Sequence, residues 1–387
     1  MKTISLSGRD GSGKSQQIRL LVWNNENLFH TTKPLSTYTS RWPKLQGYDM
    51  SQWWFERVSV KELTEIIIEA INNRHHDQVD GKITVHDRGW RMFKAVCVAT
   101  KLTRESGALD QAVSAIDEQF AAGIDHATNE VEVCLERDPE YFSKVERLTK
   151  LVRPEEDMGF PESARVRYSR YQEYLKTAMG VYFSHSHIHS VKVCEPILDV
   201  QNRLRGLVSG LFDLKLPHLG SRIASVVGFG GLSECGKSSF AEHLRCHHGF
   251  LRLKLKYFIE ALERRGGTRT PESIVLELLQ FLESLPYIQR VSCESLHDPF
   301  VPAMLKLMLG DRCQIVFIET NEDVRISRGS RELRIATDEA AKIVARKDAV
   351  KRGRGAEKVR EFTDIVFDKS SGDHQQNLKT FAGLLGF

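Results

Sequence analysis

The sequence predicts an α/β protein built as two tandem units, each a parallel sheet flanked by helices. Three observations carry this reading. The chain has 387 residues, more than one hydrophobic core usually serves. Short apolar runs alternate with longer stretches of helical periodicity, the pattern of a parallel sheet covered on both faces. One kind of glycine-rich segment also occurs twice, each time directly after an apolar run.

The first apolar run, Thr3–Leu6, leads into Gly8-Arg9-Asp10-Gly11-Ser12-Gly13-Lys14-Ser15 and then a helical pattern over Gln16–Trp23. The second, Ile223–Phe229, leads into Gly231-Leu232-Ser233-Glu234-Cys235-Gly236-Lys237-Ser238 and a helical pattern over Ser239–Cys246. Both fit the phosphate-loop pattern G-x-x-x-x-G-K-[ST] in strand–loop–helix context. Glycines let backbone N–H groups curl around a phosphate, and the helix N-terminus adds a favourable dipole. The lysine reaches the outer phosphates and the serine hydroxyl holds Mg²⁺. The residues expected around nucleotide phosphates are therefore Gly8, Asp10, Gly11, Ser12, Gly13, Lys14 and Ser15 in the first loop. In the second they are Gly231, Glu234, Cys235, Gly236, Lys237, Ser238 and Ser239. ATP and Mg²⁺ are the expected cofactors, with Lys14 and Lys237 acting on the transferred group. Cys235 is tolerated there because such a loop works through its backbone.

In the first half, Phe29–Pro34 reads as a strand end breaking into a loop, and Gln52–Asn72 as one helix with Phe55, Val58, Leu63, Ile66, Ile67 and Ala70 on its apolar side. Ile83–His86 is a short strand delivering Asp87-Arg88-Gly89, and Val131–Leu135 a further strand before Glu136–Glu140. Val200–Leu211 closes the half as an amphipathic helix. Gly210–Arg222 holds Pro217 and Gly220 and lacks periodicity, which places a boundary near residue 215 and gives units 1–212 and 220–387. The halves share the loop and no other visible similarity, which points to fusion rather than recent duplication.

These motifs, in this order, resemble thymidylate kinase across most of residues 1–210: the loop Gly8–Ser15, the Phe55/Arg57 pair, Asp87-Arg88 at a strand end, the proline-acidic turn after Val131–Leu135, and a basic, tyrosine-rich segment from Arg153 to Tyr174. The resemblance implies a P-loop kinase fold and transfer of a phosphoryl group to a nucleoside monophosphate. It implies that Asp10 approaches the acceptor's sugar, that Arg57 and Arg88 hold its phosphate, and that Asp87 organises Mg²⁺ or the acceptor. Fixed guanidinium groups suit two anions that must be brought together. The first loop has no arginine after Asp10, so Arg153, Arg165 and Arg167 are the candidates for stabilising the transferred group. Gly89-Trp90-Arg91-Met92 and Ser7 depart from the family's pattern, which opens the acceptor base to nucleotides other than thymidylate.

In the second half, Phe250–Lys256 reads as a strand, Ser273–Ser284 as a helix, and Ile288–Cys293 as a strand ending at Glu294. Gln314–Glu319 is a strand before Arg325-Ile326-Ser327-Arg328, the basic stretch Ala340–Arg354 is helical, and Asp364–Asp368 is a last strand. This half is similar to nucleotide kinases of the dephospho-coenzyme A kinase and deoxynucleotide monophosphate kinase type. That resemblance implies Mg²⁺ organisation by Ser238 and Glu294. Arg346, Lys347, Lys351 and Arg352 read either as a phosphate-sensing lid or as a solvated basic face.

The net charge of +4 is too small to argue for a nucleic-acid surface. Seven cysteines without a CxxC pair fit buried thiols in a reducing compartment better than disulfides or zinc. No apolar run reaches the length of a membrane span, and the segment after Met1 reads as strand and loop rather than a leader, so a cytoplasmic location is expected. His185, His187 and His189 alternate as in a surface strand entry, and Trp53-Trp54-Phe55 reads as helix packing. The function expected is Mg²⁺-dependent transfer of the ATP γ-phosphoryl to a nucleotide in the first half, the second being another kinase or a regulatory nucleotide-binding module. A kinase acting on a modified base or end of DNA and an NTP-gated switch remain open, as does a homodimer.

Overall fold

The computed structural model describes residues 2–105, 107–124, 130–152, 160–184, 188–370 and 373–387. They fall into two compact units, one built chiefly of residues up to Leu216 and one of Pro217–Phe387.

The first unit contains β1 (Thr3–Ser7), β2 (Phe29–Thr31), β3 (Ile83–Asp87), β4 (Glu130–Arg137) and β5 (His189–Val193), in the order β2-β3-β1-β4-β5. All neighbours are parallel. Its helices in chain order are α1 (Lys14–Val22), α2 (Gly47–Gln52), α3 (Val60–Arg74), α4 (Trp90–Arg104), α5 (Leu109–Gly123), α6 (Pro139–Val152), α7 (Glu162–Phe183) and α8 (Ile197–Phe212). Ile4, Leu6, Val85, Val133 and Leu135 bury one sheet face against Ile18 and Leu21 of α1 and Val200, Leu204 and Val208 of α8. By the two-residue alternation of strands, the opposite face carries Ser5, Ser7, Thr84, His86 and Glu132, all buried. Helices α3, α4, α5 and α7 build a second apolar core around Leu63, Ile67, Val96, Phe120 and Leu175.

The stretch Gln52–Asn72, expected as one helix, is broken. α2 runs into a π-helical turn at Trp53–Arg57, Val58 is extended, and Ser59 caps α3 by accepting the Glu62 N–H at 3.1 Å. Serine followed three residues later by glutamate is a start signal, and it outweighs unbroken apolar periodicity. Of the alternating histidines, His189 opens β5, whereas His185 and His187 lie outside the described residues.

The second unit contains β6 (Ser225–Gly230), β7 (Leu251–Lys254), β8 (Arg290–Leu296), β9 (Cys313–Glu319) and β10 (Ile365–Asp368), ordered β10-β9-β6-β8-β7 and parallel throughout. Its helices are α9 (Lys237–His248), α10 (Lys256–Arg264), α11 (Pro271–Glu283), α12 (Phe300–Leu309), α13 (Glu322–Leu333), α14 (Thr337–Gly353) and α15 (His374–Leu384). Val227, Phe229, Val316, Ile318 and Phe367 pack on Phe240 and Leu244 of α9 and Leu378 and Phe381 of α15. The strand expected over Phe250–Lys256 ends at Lys254, and Lys256 opens α10, whose Phe258 and Leu262 are buried one turn apart.

Read from its opposite edge, the second sheet runs second, third, first, fourth, fifth strand, the same order as the first sheet. The halves therefore share a topology as well as a loop. Strand order is a matter of pairing between distant segments, and residue identities along the two halves do not display it.

Candidate functional site

Each phosphate loop joins the central strand of its sheet to the helix that follows. Gly8, Gly11 and Gly13 have φ of +148°, +76° and +85°, and Gly231 and Gly236 have φ of +126° and +103°, values that suit glycine. A Cβ at Gly8 would also press on the Leu135 carbonyl oxygen at 2.6 Å, and one at Gly231 on that of Ile318 at 2.6 Å. The first four amides of α1 and α9 face the loops as a consequence.

The two lysines lie inside their cradles. Lys14 Nζ donates to the carbonyls of Gly8 and Arg9, both at 2.9 Å, and Lys237 Nζ to those of Gly231 at 2.9 Å and Leu232 at 2.5 Å. Burial, followed by the repulsion of Arg88, pulls Lys14 down to about 8. Lys237 also lies 3.2 Å from Cys235 Sγ.

Beside each lysine a serine meets an acid from the neighbouring strand. Ser15 Oγ donates to Asp87 Oδ2 at 3.0 Å, and Ser238 Oγ to Glu294 Oε2 at 2.6 Å. A hydroxyl and a carboxylate side by side are the hard oxygen donors that Mg²⁺ prefers, so both pairs fit that ion. Ser15 with Asp87, and Ser238 with Glu294, are thus brought together. Among the described residues no cluster of three or more histidine, cysteine or acidic side chains could hold a metal ion alone.

The surroundings of the loops differ. In the first unit Arg88, with a left-handed φ of +69°, pairs with Asp10. Asp10 also accepts from Tyr168 at 2.7 Å and Gln172 at 2.9 Å, both on α7. Burial pushes the Asp10 carboxyl up, but Arg88, Tyr168, Lys14 and Gln172 together bring it below its ordinary value. In the second unit the residue after the acid is Ser295, with φ +72°, so a hydroxyl stands where the first unit has a guanidinium. There the loop is held from α13 and α14. Asp348 accepts the Ser233 N–H at 2.8 Å, and Arg325 pairs with Asp348 while donating to the Ser233 carbonyl at 3.2 Å. Lys347 reaches Glu234 at 3.1 Å. Burial and then Lys237 pull Lys351 down to about 8; burial and then Arg328 do the same to Lys369. A cavity of about 410 Å³ opens beside this loop, lined by Gly236, Ser239, Arg328, Arg331, Lys369 and His374 among others.

Several expected residues lie elsewhere. Arg57 is exposed and donates to Gln52 at 2.7 Å, and Arg165 is exposed and donates to the Phe160 carbonyl at 3.0 Å. Among the described residues neither bonds to Asp10, Asp87 or Arg88. Arg167 pairs with Glu56, and Arg153 lies outside the described residues. Ser12 is fully buried within its loop. Sequence reasoning missed Tyr168, Gln172, Arg325's partner Asp348, and Arg74, Glu130 and Glu132 beneath the Asp87–Gly89 turn. The two glutamates alternate with valines at the start of the strand, which is the one signal that marked them. Burial raises both carboxyls above the usual range.

No family model and no curated protein matches the sequence. Among solved structures the chain is similar to the thymidylate kinase of Candida albicans, with 16% identity, 54% of this chain and 92% of that one covered, and a TM-score of 0.38. It is similar to the thymidylate kinase of Ehrlichia chaffeensis at 14% identity, 54% and 98% coverage and a TM-score of 0.33. A shikimate kinase from Bacteroides thetaiotaomicron gives 16% identity, 42% and 99% coverage and a TM-score of 0.27. The class is defined by the fold and its loops: two parallel α/β units in tandem, each with a P-loop on its central strand. No helix among the described residues is long and apolar enough to cross a membrane.

Proposed function

We propose that the first unit transfers the γ-phosphoryl of ATP to a nucleotide, with a nucleoside monophosphate as the acceptor class. The observation that carries this is Arg88 beside Asp10, next to the Ser15–Asp87 pair and the Lys14 cradle. A protein that only bound and released a nucleotide would have no use for a second fixed cation, beside Lys14, on the acceptor side. In this reading Lys14 and the loop amides hold the outer phosphates of ATP. Arg88 holds the acceptor's phosphate, whose oxygen attacks the γ-phosphorus as the bond to the ADP oxygen breaks. Asp10 keeps Arg88 aimed, and Tyr168 and Gln172 keep Asp10 in place. Mg²⁺ held at Ser15 and Asp87 would supply charge neutralisation on the phosphates.

We assign the second unit to nucleotide binding without transfer, because Ser295 stands in the place of Arg88 and the loop is engaged by α13 and α14 instead. The test is an acceptor screen with [γ-³²P]ATP, Mg²⁺ and a panel of nucleoside monophosphates, nucleosides, dephospho-coenzyme A and DNA. Transfer to a monophosphate that is lost in Lys14→Ala and kept in Lys237→Ala is the expected result. Transfer to DNA alone, or ATP binding with no transfer to any acceptor, would sink the reading.

A further inference from the structure

Beneath the Asp87–Gly89 turn, side chains from three elements hold a single peptide unit from both ends. The Arg88 carbonyl accepts from Arg74 Nη1 of α3 at 3.1 Å, and the Gly89 N–H donates to Ser7 Oγ of β1 at 3.1 Å. That C=O and N–H belong to one planar group, so anchoring both fixes its rotation. Ser7 has one proton to give, and it goes to Glu132 Oε1 of β4 at 2.5 Å, which turns a lone pair toward Gly89.

Glu132 Oε1 also accepts the Met92 N–H, the third amide of α4, at 3.3 Å. A capping side chain normally does this, but the cap residue here is Gly89, which has none. A larger residue is excluded, because a Cβ at position 89 would run into Ser5 Oγ, Glu130 Oε1 and the Glu132 carboxyl. Glu132 Oε1 from β4 therefore both caps α4 and, through Ser7, orders the turn. Arg91 of α4 lies 3.6 Å from Glu132 Oε2 and works against the burial and the neighbouring Glu130 that hold this carboxyl above the usual range.

What this clamp holds is Arg88 in its left-handed conformation, which costs a non-glycine residue about 1–3 kcal/mol and persists only where the surroundings impose it. Arg74 is 2% and Glu132 3% exposed, and the Phe93 ring flanks Arg74 at 5.6 Å, so the anchors are fixed by packing. We infer that Glu132, acting through Ser7, and Arg74 are positioning residues that set the direction of the Arg88 guanidinium. The inference rests on the proposal that Arg88 holds the acceptor's phosphate.

Side-chain ¹⁵N–¹H NMR of the arginines reads the clamp directly, the Arg88 Nε–H signal being assigned by its loss in Arg88→Lys. Ser7→Ala and Glu132→Leu are expected to move that signal toward the position of exposed arginines. Glu132→Gln, whose Oε1 still accepts, leaves it in place. Ser7→Ala deletes only a hydroxyl and so covers the case in which Glu132→Leu does not fold. In parallel, calorimetric dTMP affinity is expected to fall roughly tenfold in Ser7→Ala, the worth of one buried hydrogen bond, and at least as far in Arg88→Ala, with ATP affinity unchanged in Ser7→Ala. An Arg88 signal that stays put in Ser7→Ala overturns the inference. A displaced signal with binding of dTMP and of the other nucleoside monophosphates absent or equal in every protein, Arg88→Ala included, supports the clamp and overturns the acceptor reading instead.

Discussion

The two phosphate loops share a strand order, a lysine seated on its own carbonyls and a serine bound to a neighbouring acid, yet they are braced by different means. The first is flanked by an ion pair, Asp10–Arg88, whose side chains are 34% and 27% exposed and lie where a second ligand can reach them. The second is gripped by Arg325–Asp348, whose side chains are only 5% and 3% exposed and bond to the loop backbone at Ser233. The difference teaches how one loop design can be braced in two ways. A charge left reachable is available to a ligand, whereas a charge buried against backbone holds the loop itself.

The contrast exposes itself to experiment, and the largest effect should come from the buried pair. Arg325→Ala leaves Asp348 charged and without its ion partner, and should destabilise the second unit by about 3–5 kcal/mol in denaturant unfolding. Arg88→Ala, at a half-exposed pair, should cost less than about 1 kcal/mol. Equal losses in the two variants would erase the distinction.

Next comes catalysis. Lys14→Ala should lower phosphoryl transfer by about 10²–10³, the usual toll for deleting one fixed electrostatic donor, while Lys237→Ala changes only nucleotide binding. A comparable loss of transfer in Lys237→Ala would make the second loop catalytic too.

A smaller effect follows from pH. Lys14, lowered to about 8, is cationic below that value and neutral above it, whereas in the unfolded chain it stays cationic to about 10.5. A bound phosphate favours the cation, so ATP binding at and above pH 8 takes up a proton. Affinity at the first loop should therefore weaken as pH rises through 8, by at most roughly tenfold per pH unit. Calorimetry in buffers of different ionisation enthalpy measures the uptake, and binding independent of pH from 7 to 9.5 would contradict it.

The smallest change is expected from Asp10→Asn. Its side chain still accepts from Tyr168 and Gln172 but loses the charge facing Arg88. The melting temperature should move by no more than an exposed ion pair allows, while the acceptor KM rises as Arg88 loses its aim.

Both loops, with their lysines and serines, were legible as residues, because the motif has fixed spacing within one short segment, whereas Asp87 and Glu294 were named through the family resemblances. Their loop geometry is local, written in glycines whose left-handed backbone few other residues tolerate. Strand order, the break at Ser59 and the partners of Asp10 were less accessible. Tyr168 and Gln172 lie far along the chain on α7, in a segment whose arginines drew attention instead. Asp348 sits on a helix read as basic, and its role emerges only when Arg325 meets it.

Local chemistry in the chain was enough to place two glycine-rich loops, each between a strand and a helix, since the glycines, lysine and serine of each motif lie within eight positions. Folding settled which distant side chains flank each cradle: a partly exposed Asp10–Arg88 pair in one case and a buried Arg325–Asp348 pair in the other. The physical reason is that a charge's role depends on its burial and its partner. Both arise from packing between segments tens to hundreds of residues apart, and neither leaves a periodic or spaced mark in the sequence.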